Sequence, residues 1–148
     1  MDICTSGVEA INLKEIVIAL NDLLTAIYGI ETRLSNLLID IGFDKTQVEC
    51  LPKHHLQQVV LGFLENLKQK LITFHDGERA YKIISRYYGL DGKPRATLQS
   101  LGEQLTISRE RVRQLKEKTL KKCRNKSSRQ FFETELQQEA AQLLSTLS

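Results

Sequence analysis

Nowhere in the 148 residues do about 18 apolar side chains run together, the length a bilayer needs, so no membrane-spanning helix is expected. The N-terminus lacks the basic run and apolar core of an export signal. Cysteine is scarce: Cys4, Cys50 and Cys123 are odd in number and widely spaced. They do not make a disulfide framework and read as reduced thiols, which points to the cytoplasm. Cys50 lies near His54 and His55, yet one thiolate and two adjacent histidines are not a zinc motif, which draws four ligands from paired clusters. No alternating apolar run is long enough for a strand. No nucleophile with a nearby base, no phosphate loop and no metal cluster is visible, so an enzyme has no support and neither cofactor nor metal is expected. Tryptophan is absent altogether.

What is present is an uneven charge. Residues 79–129 hold 15 of the 21 Lys and Arg but only 4 of the 18 Asp and Glu, a local charge of +11, while the remainder carries −8. So concentrated a cation suits a polyanion, with phosphate the common one. A basic stretch alone fits a solvated face equally well.

The periodicity is helical throughout, and the fold class expected is all-α. In residues 8–41 apolar side chains recur at Leu13, Ile16, Leu20, Leu23, Ile27, Ile30, Leu34, Leu37 and Ile41, spaced alternately by three and four. Val17, Leu24 and Leu38 widen this stripe, and Ala19 and Ala26 stand where a zipper would carry charges, so a bundle fits better than a two-stranded coil. Gly29 breaks or bends the run, leaving one long helix or a helix pair. Pro52 opens a further helix reaching about Phe74, with Leu56, Val59, Val60, Phe63, Leu67, Leu71 and Phe74 on its inner face. The two segments read as an antiparallel hairpin. It serves either as a scaffold or as a homodimer interface; its large apolar area favours the dimer, with the nine-residue seam from Leu13 to Ile41 as its contact. Asp76 suits an N-cap, and a short helix follows to Tyr88. Phe131, Phe132, Leu136, Leu143, Leu144 and Leu147 mark a C-terminal helix, whose place is against the N-terminal hairpin or a second subunit. Three segments are expected: 1–75, 76–126 and 127–148.

The segment Thr97 to Leu115 carries the chemistry. Leu98, Leu101 and Leu105 give a first helix its buried face, Ile107 plugs a turn, and Val112 and Leu115 bury a second helix. Gly102 permits close approach of the two, and the whole reads as helix-turn-helix. Ser108 suits a cap. Arg109, Glu110, Arg113 and Gln114 share a face near the second helix's N-terminus, the part that enters a major groove. Arg reads guanine, Gln adenine, and Glu accepts from the cytosine amino group. Arg111, Lys116, Lys118, Lys121, Lys122 and Arg124 lie where phosphates would be met.

The approach Tyr88-Gly89-Leu90-Asp91-Gly92-Lys93-Pro94-Arg95-Ala96-Thr97-Leu98, then Leu101–Leu105, Ser108–Leu115 and Leu120–Arg124, resemble region 4 of bacterial sigma-70 factors over residues 78–125. The resemblance implies a reader of a −35-type promoter element, with Arg109, Glu110, Arg113 and Gln114 at the base-reading positions and Arg95, Thr97 and Ser108 joining the phosphate contacts. It implies further that the helix around Ala80–Tyr88 faces the flap of the RNA polymerase β subunit. Two departures stand out. Thr106 replaces a glycine common in the turn, and Cys123 replaces an apolar residue. The aromatic-rich sigma region that melts and reads the −10 element has no counterpart here. The expected function is therefore a sequence-specific double-stranded DNA-binding regulator of the bacterial nucleoid, acting as a homodimer. The alternative is an adaptor that contacts polymerase or a sigma factor through protein surfaces.

Overall fold

A computed structural model describes the backbone of residues 3–145 and the side chains of residues 13–143, so the side chains of Cys4, Leu144 and Leu147 lie outside the described residues. Eight helices and no strand occur among the described residues: α1 (Ile3–Tyr28), α2 (Leu34–Asp40), α3 (Lys45–Glu49), α4 (Lys53–Leu71), α5 (Gly77–Tyr88), α6 (Leu98–Leu105), α7 (Arg109–Cys123) and α8 (Lys126–Ser145). The protein is all-α, and no described helix is long and apolar enough to cross a membrane.

The seam from Leu13 to Ile41 is not one helix. Gly29 adopts φ +81°, a conformation that ends α1, and the chain does not become helical again until Leu34. The break is held by its own polar groups. The Thr32 N–H donates to Thr25 Oγ1 at 2.9 Å, and the Leu34 N–H, at the open start of α2, donates to Asn21 Oδ1 at 2.8 Å. A side chain of α1 thus serves an amide that α2 cannot satisfy itself. Ile30 lies in this connection, 72% exposed, and packs no seam.

The remaining seam residues are spent inside the chain. Leu13, Ile16, Leu20, Leu23, Ile27, Leu34 and Leu37 are all buried in a core shared by every helix except α6, and Ile41 packs against it. The seam expected to meet a second copy thus packs, apart from Ile30, within the chain itself. The helices that cover it, α4, α5 and α7, come from distant parts of the sequence. Between α1 and α4 stand α2 and α3, and the principal partner of α4 is α8, with α1 also in contact. Phe63 of α4 meets Phe132 of α8 with ring centroids 5.7 Å apart, and Leu136 and Ala140 continue the buried face of α8. The C-terminal helix thus folds back on α4, one of the two places expected for it.

A second, small cluster holds the helix-turn-helix: Ile83 of α5, Leu101 of α6, and Val112 and Leu115 of α7, with Leu98, Leu105 and Ile107 at its rim. It is not an isolated unit. Ile84, Tyr88 and Leu90 on one side, and Leu120 and Cys123 on the other, enter the main core. The expected segments 1–75, 76–126 and 127–148 share that core. Burial pushes the Cys123 thiol up to about 12, so it is a packing group and not a reactive one.

Candidate nucleic-acid interface

The turn between α6 and α7 is tight because of two residues. Gly102 lies so close to the turn that an added Cβ would sit 2.7 Å from the Ile107 carbonyl oxygen, and the Ile107 N–H donates to the Gly102 carbonyl at 2.9 Å. Thr106 takes the left-handed conformation at φ 60° and ψ 43°, which glycine adopts freely and a β-branched residue does not. The strain costs about 1–2 kcal/mol. Thr106→Gly is accordingly expected to raise stability by about 0.5–1 kcal/mol once the extra unfolded-chain freedom of glycine is set against it. A thermal melt checks this; a midpoint that stays put or falls would show the turn to be unstrained.

Both helices are capped by their own side chains. Thr97 and Ser100 form a reciprocal capping box at α6, and Ser108 Oγ accepts from the Arg111 N–H at 3.0 Å at the start of α7. Asp76, by contrast, stands before α5 in the left-handed conformation and makes no capping bond.

Val112, Leu115, Thr119, Leu120 and Cys123 bury one side of α7, which turns Arg109, Glu110, Arg113 and Gln114 into solvent. These four do not form a single cluster. Glu110 gathers two of its neighbours: Arg113 Nε donates to Glu110 Oε1 at 3.0 Å, Arg113 Nη2 also donates to Glu110, and Gln114 Nε2 donates to Glu110 Oε2 at 3.4 Å. These bonds from Arg113 hold the Glu110 carboxyl below its ordinary range and keep it an acceptor. Arg109 stands apart, lining a shallow cleft with Tyr87, Arg95, Thr97 and Gln99 at the start of α6.

The residues expected at phosphates are equally unequal. Arg111, Lys118 and Lys121 are exposed on α7. Lys116 is not: its side chain is only 12% exposed, its ammonium lies 4.7 Å from the centroid of the Tyr87 ring, and it pairs with Glu117 at 3.0 Å. Ring and carboxylate thus already meet the charge of this residue, which was expected at a phosphate. Lys122 turns to the Phe74 ring at 5.1 Å. Arg124 donates from Nε to the Ala26 carbonyl at 3.0 Å and ties α7 to α1. Thr97 and Ser108 use their hydroxyls as caps, and Arg95 pairs with Asp22 of α1. Spacing carries no signal for the contacts of Arg124 and Arg95, whose partners lie 98 and 73 residues away.

The helix expected to face the polymerase flap turns its apolar side inward. Ala80, Ile83, Ile84 and Tyr88 of α5 are buried, while Glu78 and Lys82 remain exposed.

No solved structure matches the chain. Residues 77–125, roughly a third of its length, match the family described as Sigma-70, region 4. The span covers α5, the loop after it, α6 and α7, whose packed turn and outward-facing helix have been described above. The protein therefore carries a sigma-70 region 4-like helix-turn-helix, a DNA-binding domain, set within a larger helical core.

Proposed function

We propose that the protein regulates transcription by binding duplex DNA in a sequence-specific way, with the N-terminal half of α7 in the major groove of a −35-type promoter element. The observation that carries this is the outward face of α7: four side chains of three base-reading types, Arg109, Glu110, Arg113 and Gln114, stand exposed on a helix whose other side is locked by Val112 and Leu115. Arg and Gln match guanine and adenine edges, and Glu matches cytosine. Arg111, Lys118 and Lys121 flank them as phosphate contacts, which add affinity without choice of sequence.

The seam expected to join two protomers packs within the chain, so a homodimer would meet through another surface. The DNA-binding reading is favoured over an adaptor role because the apolar side of α5 is covered by α1, α4 and α7.

Selection from a randomised duplex pool, with no polymerase present, tests it. A short enriched motif is expected. Retention of the pool with no enrichment would leave a non-specific binder, and no retention would leave the adaptor.

A further inference from the structure

The loop between α5 and α6 carries a contact that lies half outside the matched domain. Arg95 Nη2 is 2.5 Å from Asp22 Oδ2, and Asp22 belongs to α1, 73 residues earlier. The same Arg95 lines the cleft with Thr97, Gln99 and Arg109 at the start of the helix-turn-helix. Arg95 also lines a second cleft, which has Glu15 and Ile18 of α1 on one side and Gly92 and Lys93 of the loop on the other. Arg111, Lys118 and Lys121 form no ion pair with any carboxylate among the described residues. Of the cations assigned to phosphate, Arg95 in this loop is the one that pairs, among the described residues, with an acid from outside residues 77–125.

We infer that Asp22 competes with a DNA phosphate for Arg95, so that the helical half of the protein sets how tightly its helix-turn-helix holds duplex DNA. The inference rests on the DNA-binding reading above. A carboxylate and a phosphate offer a guanidinium the same kind of anionic oxygens, and the guanidinium accepts either. Both side chains of the pair are about half exposed, Arg95 at 47% and Asp22 at 51%. The pair is therefore screened by water and exchanges its partner readily. DNA arriving at the cleft either draws Arg95 away from Asp22 or meets a neutralised pair. In both cases Asp22 lowers affinity for every sequence alike, because phosphates carry no base identity.

The test is an anisotropy titration of the full chain on two labelled duplexes, one selected and one arbitrary, over a series of salt concentrations. Asp22→Asn is expected to tighten both duplexes by up to about fivefold at low salt, the upper range for a surface pair. It should steepen the salt dependence by about one unit, the signature of one more phosphate contact. Asp40→Asn on α2 removes the same charge without touching Arg95 and controls for net charge. In an Arg95→Gln background, Asp22→Asn should have no more effect than Asp40→Asn. Equal effects of Asp22→Asn and Asp40→Asn in the wild-type background, or an Asp22→Asn effect that survives the loss of Arg95, would overturn the inference. Failure of the wild-type protein to bind either duplex would overturn the DNA-binding reading itself, before any variant is compared.

Discussion

Leu20→Ala is expected to lower folding stability by about 2–5 kcal/mol and to leave the association state unchanged. Leu20 is fully buried in the core that α1 shares with every other helix but α6. Truncating it removes transfer energy and leaves a cavity that the surrounding helices refill only in part. The distinction from an interface residue is made by concentration. Loss of an internal contact lowers the unfolding midpoint equally at every protein concentration, whereas loss of a dimer contact shifts an equilibrium that depends on concentration. Denaturant melts of wild type and variant over a hundredfold range of concentration, with sedimentation of both, separate the two. A variant that folds with wild-type stability but sediments as a smaller species would restore the seam as a dimer contact.

Arg113→Ala is expected to cost about 1–3 kcal/mol on the preferred site and to relax preference at one or two base pairs. Arg113 and Glu110 are both exposed and joined through two Arg113 donors. Glu110→Ala therefore removes an acceptor and also the group that orients Arg113, and its loss of preference should overlap that of Arg113→Ala. The two substitutions together should cost less than the sum of each alone, since they disable one linked unit. Lys121→Ala, on the same helix, should instead weaken all sequences alike and reduce the salt slope by about one unit. Binding of each variant to a randomised pool at two salt concentrations distinguishes these behaviours. Unchanged affinity and preference in both Arg113→Ala and Glu110→Ala would mean that α7 does not read bases.

Much of the helix-turn-helix was legible in advance because its determinants are local. The cap at Ser108, the close approach at Gly102 and the burial of Leu101, Val112 and Leu115 all follow from residues a few positions apart. The inner face of α4 was legible for the same reason: Val59, Val60, Phe63, Leu67 and Leu71 recur at helical spacing and are buried. In the N-terminal half the break at Gly29 was legible, but the regularity of the seam did not tell what covers it. The three-four alternation from Leu13 to Ile41 continues across a non-helical connection, since the gap from Ile27 to Leu34 keeps the same count of residues that two helical turns would have. Periodicity reports that a face is apolar, and does not report what covers it.

The sequence by itself determined the all-helical class, the place of the helix-turn-helix and the side chains that α7 turns outward. Those depend on propensity, capping and spacing within a few turns of one helix. Only the tertiary structure decided that the seam is internal, that α8 is the partner of α4, that Lys116 is held by Tyr87 and Glu117, and that Arg95 is shared with Asp22. Apart from the short-range Lys116 pair, each of these joins residues far apart in the chain, and which surfaces meet is set by how seven of the eight helices together exclude water from the main core, while α6 closes the smaller one.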